Sequence, residues 1–223
     1  MNEAIKILII TILAELVAGV LLIVLGGFLS KKARWVLTAT LGRLLDIDIE
    51  YVFRGKREAH DDIREELERA SYVDLLTGRG NEIQRDTFAG ALESTHKKIR
   101  FRILLPITKT ESREPDWTLQ REQEVGAFDP AYGKGILQKQ IDTNVTFLDS
   151  YIASGTVELR RFNYPHIGRI LITDRVAYFT PYRNDAHGRA SCVIKYRRGG
   201  EMYDAFRRLF DQMWDQDNYR HGK

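Results

Sequence analysis

The sequence predicts an α/β domain with a mixed β-sheet and helices on both faces, carried behind one N-terminal transmembrane helix. Three observations predict it. Residues 7–29 are almost all apolar, with only Thr11 and Glu15 clearly polar. Between Tyr72 and Leu105 the pattern reads strand, helix, strand. Four short strand-like segments then follow between residues 157 and 196, closed by an amphipathic helix over 202–214.

The apolar run gives about 23 residues, or roughly 35 Å of helix, enough for a hydrocarbon core of about 30 Å. A cleaved signal peptide would carry an apolar stretch of about 7–15 residues before a small-residue cleavage site. This run is longer and ends in Gly26-Gly27-Phe28-Leu29-Ser30-Lys31. Lys31, Lys32, Arg34 and Arg43 follow it, against Glu3 and Lys6 before it. That asymmetry predicts a single-pass inner-membrane protein with its N-terminus outside and its C-terminal domain cytoplasmic. The single cysteine, Cys192, agrees with a reducing compartment. Glu15 is costly in mid-membrane, and Thr11, Glu15 and Gly19 are spaced by four. This stripe predicts helix–helix association and a homo-oligomer.

The expected domains are an anchor over 1–30, a juxtamembrane and linker helix over 31–71, the α/β domain over 72–216 and a tail over 217–223. Arg34 and Trp35 suit an interfacial position. Ile47, Ile49 and Tyr51 alternate with acids and hint at a short strand. Ala59, Ile63, Leu67 and Ala70 make a narrow helical stripe, read as a helix lying on the following domain or as a coiled-coil stalk.

Tyr72–Leu76 reads as a strand, Thr77-Gly78-Arg79-Gly80-Asn81 as a turn, and 82–94 as a helix capped by Asn81. Residues 99–105 read as a strand and 106–131 as a long polar connection. A helix follows with Ile136, Ile141, Val145, Leu148 and Ile152 inward. The late strands are Val157–Phe162, 167–173, 176–179 and 191–196. Parallel pairing is expected at the front and antiparallel pairing at the back.

A net charge of +3 gives no strong nucleic-acid signal. His60, His96, His166, His187 and His221 lack ligand spacing, so no metal and no cofactor are expected. Arg79 sits between a strand and a predicted helix N-terminus, where Gly78, Arg79, Gly80 and Asn81 could hold an anion. Arg100, Arg160 and Arg161 read as solvated strand faces.

The stretch Val157-Glu158-Leu159-Arg160-Arg161-Phe162, then Ile167-Gly168-Arg169-Ile170-Leu171-Ile172-Thr173-Asp174, resembles one half of a phospholipase-D-like domain. That superfamily carries His-x-Lys, four residues, then Asp. Placing Asp174 on the motif's Asp puts Arg169 at the Lys position and Ile167 at the nucleophilic His position. The resemblance extends over roughly 72–215. It implies a cytosolic sensor, effector or scaffold without catalysis, binding an anionic ligand or protein partner through Arg169, in bacterial signalling or antiphage defence. The alternative it implies is a membrane-bound phosphodiesterase, nuclease or phospholipase acting as a dimer, with His166, Arg169 and Asp174 catalytic. Strand alternation would turn His166 away from Arg169 unless the backbone bulges near Pro165.

Overall fold

A computed structural model describes residues 3–29, 31–45, 47–94, 99–108, 115–133 and 135–216. His96, His221 and the 217–223 tail lie outside them. The chain forms two compact units, Met1–Tyr51 and Val52–Lys223.

The first unit contains α1 (Glu3–Leu29) and α2 (Lys31–Leu44). The window Leu8–Leu25 of α1 has a mean hydropathy of 2.9, with none of it buried. A helix this apolar all round has no soluble face. Among the described residues α1 is the one helix long and apolar enough to cross a membrane. Thr11, Glu15 and Gly19 lie on it, and a Cβ at Gly19 would meet nothing. Helix α2 occupies the juxtamembrane stretch that follows α1.

The remaining elements are β1 (Ile49–Phe53), α3 (Lys56–Arg69), β2 (Tyr72–Leu76), α4 (Asp86–Glu93), β3 (Arg100–Pro106), α5 (Trp117–Gly126), α6 (Ile136–Ala153), β4 (Val157–Phe162), β5 (Gly168–Thr173), β6 (Val176–Pro181), β7 (Val193–Arg197) and α7 (Glu201–Trp214). The seven strands form one sheet in the order β1-β7-β6-β5-β2-β3-β4. β2, β3 and β4 run parallel, and β5 lies antiparallel against β2. The β5-β6-β7 meander is antiparallel. The sheet is therefore mixed as expected: helical crossovers make the parallel half and tight turns the antiparallel half.

Helices cover both faces. Every residue of β5 is buried, as a strand covered on both sides must be. On one face α7 buries Tyr203, Phe206, Phe210, Met213 and Trp214. Phe206 stacks on Phe179 at 5.3 Å, and the Tyr203 hydroxyl donates to Thr173 O at 2.7 Å. On the other face α3 meets the strands through polar groups. Asp62 accepts from the Tyr178 hydroxyl at 2.6 Å and from Lys195 Nζ at 3.1 Å. Ala59, Ile63 and Leu67 of α3 are buried, so this helix lies on the domain rather than forming a stalk.

Three local expectations are corrected. The helix expected over 82–94 begins at Asp86, and Asn81 stands in a preceding turn instead of capping it. The 106–131 connection contains α5, capped by Asp116, whose side chain accepts from Leu119 N. Arg160 and Arg161 are not solvated: Arg160 lies 4.5 Å over the Trp214 ring, and Arg161 Nε donates to Pro106 O at 2.9 Å.

Asp74 is 2% exposed and pairs with Arg102 through Nε at 2.7 Å and Nη2 at 2.5 Å. Arg102 also reaches Asp211 at 2.9 Å and lies over Phe210 at 5.0 Å. This pair joins β2, β3 and α7. Arg102→Ala leaves a buried carboxylate unpaired and should cost about 3–5 kcal/mol in chemical denaturation of the full chain. The double change Asp74→Leu/Arg102→Met should recover most of that loss. A single-variant loss under about 1 kcal/mol would remove the pair from the core's support.

Candidate functional site

The C-terminal end of β2 meets the start of β5 and the end of β6, because β5 runs antiparallel to both neighbours. A cavity of about 260 Å³ opens there. This is the strand-end position where α/β sheets place ligands.

Glycines shape its wall. A Cβ on Gly78 would come within 2.9 Å of Tyr182 Cε2 and 3.4 Å of His166 Nδ1. The Gly78 N–H instead donates to the Tyr182 hydroxyl at 3.0 Å. Gly80 has φ +80°, and a Cβ there would meet Leu105 Cδ2 at 3.0 Å. The turn thus requires glycine on both sides of Arg79. Asn144 of α6 anchors it, donating from Nδ2 to Arg79 O at 2.5 Å and to Asn81 Oδ1 at 3.0 Å.

Six cationic residues line the cavity: Lys56, Arg79, Arg85, Arg121, Arg169 and Arg189. Two carboxylates, Glu82 and Asp129, line it with them. Arg169 is buried, donating from Nη2 to Thr180 Oγ1 at 3.1 Å with Nη1 3.9 Å from Glu82 Oε1. Burial alone would raise the Glu82 carboxyl. The charges of Arg169 and Lys56 and a 2.6 Å bond from Thr77 Oγ1 instead hold it below the usual range. Lys56 stands in the first turn of α3, at the positive end of that helix dipole. Burial, together with Arg169, Arg85 and Arg79, pushes its ammonium down to about 8. Arg79 donates to the Tyr132 hydroxyl and lies 5.7 Å over that ring. Arg121 is buried, bridging Glu124 at 2.7 Å and Arg183 O at 3.0 Å.

Two histidines join them. His187 Nε2 is 2.8 Å from Asp129 Oδ2, and its ring packs edge-on against Phe128 at 5.2 Å. His166 has both ring nitrogens shielded from solvent without a hydrogen-bond partner among the described residues. Burial, then the charge of Arg121, pushes its imidazolium down to about 4, so the ring is neutral at pH 7.

Of the binding residues read from the sequence, Gly78, Arg79, Asn81 and Arg169 line this one cavity. Gly80 supports it from behind. His166 lines the same cavity as Arg169, against the expectation from strand alternation. β5 begins only at Gly168, and Ile167 N donates to Pro165 O at 2.9 Å, closing a three-residue turn centred on His166. Ile167 is 61% exposed. Asp174 lies at the opposite end of β5, where it accepts from Ser71 N at 2.9 Å, so it does not join the other two. The sequence analysis did not single out Lys56, Arg85, Arg121, Asp129 or Arg189. They come from helices and turns far apart in the chain. Among the described residues no group of His, Cys, Asp and Glu could hold a metal ion.

The fold and site define a mixed α/β domain with a basic cavity at the strand ends. No protein-family model matches the chain, and no curated protein matches it. Solved structures do resemble it. TrmBL2, an archaeal chromatin protein described with a novel mode of DNA binding, is 17% identical with a TM-score of 0.46, over 97% of this chain and 67% of its own. Nuc from Salmonella typhimurium, a phospholipase D family member, is 12% identical with a TM-score of 0.45, over 77% of this chain and 97% of its own. NucT from Helicobacter pylori is 12% identical with a TM-score of 0.41, over 71% and 88%.

His166 links the cavity to pH. The folded ring titrates at about 4 and the unfolded one near 6.5, so between these values the unfolded chain binds the extra proton. Stability from this group is present above pH 6.5 and is lost as pH falls towards 4. Denaturation at pH 7 and pH 4.5 should show wild type losing roughly 2–3 kcal/mol more than His166→Phe. Equal losses would contradict a neutral, desolvated imidazole.

Proposed function

We propose that this is a membrane-anchored binding protein whose α/β domain holds a phosphate-bearing anion in the basic cavity. The observation that carries the reading is the convergence of six cationic residues on one cavity with only two carboxylates. Buried guanidinium groups suit phosphate oxygens, offering paired donors in a fixed plane. The resemblance at Arg169 supports the same chemistry, since that position holds the motif's cation. A role as sensor, effector or scaffold in bacterial signalling or antiphage defence follows from the resemblance alone.

A second reading is phosphodiester hydrolysis, favoured by two histidines on the same cavity. A neutral His166 nitrogen would form a bond to phosphorus as the phosphorus–oxygen bond to the leaving group breaks. His187, held by Asp129, would give the leaving oxygen a proton. Water would then cleave the phosphohistidine.

Titration of the full chain in detergent with inorganic phosphate separates binding from a structural role for Arg169. Arg169→Gln should weaken phosphate binding by about tenfold to a hundredfold. Arg169→Gln/Glu82→Gln should restore stability without restoring binding. Restored binding in the double variant would reduce Arg169 to a partner for Glu82. Turnover of bis(p-nitrophenyl) phosphate that disappears in His166→Ala would select the second reading.

In the membrane, α1 is the anchor, and the Thr11/Glu15/Gly19 stripe is the contact between copies. Crosslinking in bilayers should give multimers that weaken on Glu15→Leu. Protease added to intact cells should spare residues 72–215, as the charge after α1 requires. Rapid digestion there would reverse the topology, and the absence of any multimer would remove the contact.

A further inference from the structure

Of the six cationic residues that line the basic cavity, five are arginines and one, Lys56, is a lysine. A guanidinium keeps its proton in a folded protein, whereas an ammonium can give one up and become a nucleophile. The charges that act on the Lys56 ammonium are Glu82, Arg169, Arg85 and Arg79. All four line the same cavity, so the ammonium points into it. Among the described residues no hydrogen bond or ion pair holds the Lys56 side chain. The nearby Glu82 is engaged instead by Arg169 at 3.9 Å and by Thr77 Oγ1 at 2.6 Å.

We propose that Lys56 forms an imine with the carbonyl carbon of a small phosphorylated aldehyde or ketone whose phosphate the arginines hold. This rests on the phosphate-binding reading above and names the reactive group on the rest of the ligand. The amine lone pair forms the nitrogen–carbon bond as the carbonyl carbon–oxygen bond breaks. Both amine hydrogens leave with that oxygen as water, so nothing is oxidised or reduced.

The surroundings of Lys56 favour the amine this step needs. Lys56 stands in the first turn of α3, where the helix dipole disfavours a cation. Burial, then Arg169, Arg85 and Arg79 against the opposing Glu82, brings its ammonium down to about 8. About one chain in ten therefore carries the neutral amine at pH 7, against fewer than about one in a thousand for an ordinary lysine. A lysine next to other cations is a recurrent way of making an amine nucleophilic. The five arginines stay charged and partly cancel the field of a bound phosphate at the amine.

The test is reductive trapping. The full chain in detergent is incubated at pH 7 with glyceraldehyde 3-phosphate or with glyceraldehyde, each with sodium cyanoborohydride. The hydride turns an imine into a secondary amine that stays on the lysine, and peptide mass spectrometry locates it. Exposed Lys139 is the internal control. Glyceraldehyde 3-phosphate should label Lys56 at least about tenfold faster than it labels Lys139, and about tenfold faster than glyceraldehyde labels Lys56. Inorganic phosphate should suppress the labelling of Lys56 and spare that of Lys139. Lys56→Arg keeps a cation and removes the amine, so the adduct at this position should vanish while Lys139 labels as in wild type. Equal labelling of Lys56 by the two aldehydes overturns the phosphorylated ligand class. Lys56 labelled no faster than Lys139, in a preparation that binds inorganic phosphate, overturns the imine and leaves the phosphate reading intact. No phosphate binding by wild type overturns both.

Discussion

A carboxylate removed from water must be met by cations and donors or give up its charge. Glu82 is 7% exposed and stays ionised because Arg169, Lys56 and the Thr77 hydroxyl surround it. Those groups come from the first residue pair of β5, the first turn of α3 and the end of β2. One buried charge therefore fixes three segments that are far apart in the chain. Arg169 extends the fixation to β6 through Thr180. Lys56, Glu82, Arg169 and Thr180 of this cluster all line the basic cavity.

The parts legible from sequence are those where apolar periodicity and burial coincide. Tyr72–Leu76, Val157–Phe162 and the helix ending at Trp214 are strongly patterned and lie where the pattern places them. Helix α5 was not legible because its buried residues are Thr118, Arg121, Glu122 and Val125. A helix whose inward face is polar has no apolar stripe, and some of its inward polar atoms meet partners elsewhere in the chain that the sequence does not display. Glu122, for example, accepts from Gly135 N and Ile136 N at 2.8 and 2.9 Å.

The same division runs through the site. The Gly78–Asn81 turn and Arg169 could be read because strand ends and turn glycines are local features. His166 shares the cavity with Arg169 because the chain turns at Pro165–Ile167, the exception that strand alternation allowed, and period 2 holds only inside a strand. The Pro165–Ile167 turn is set by backbone geometry that residue polarity does not encode. Net charge was equally uninformative about the cavity. A chain at +3 can still gather six cations in one place if its acids pair elsewhere, as Asp62, Asp74 and Glu66 do.

That gathering has an energetic consequence. Like charges held together in partial burial repel: at Lys56 burial first, then Arg169, Arg85 and Arg79, lower the ammonium's affinity for a proton, while Glu82 opposes them. Gathering like charges in one cavity therefore costs the fold some stability. Substituting apolar residues there would relieve the repulsion, so stability alone does not account for the arrangement. An anion in the cavity relieves the same repulsion without any change of sequence. It would bind the folded chain and not the unfolded one, adding stability in proportion to the logarithm of its concentration above Kd. On the phosphate-binding reading proposed above, such an anion would bridge Lys56 on α3, Arg79 in the β2 turn, Arg121 on α5 and Arg169 on β5. Those segments are separated in the chain, so a bound anion would be one of the contacts between them.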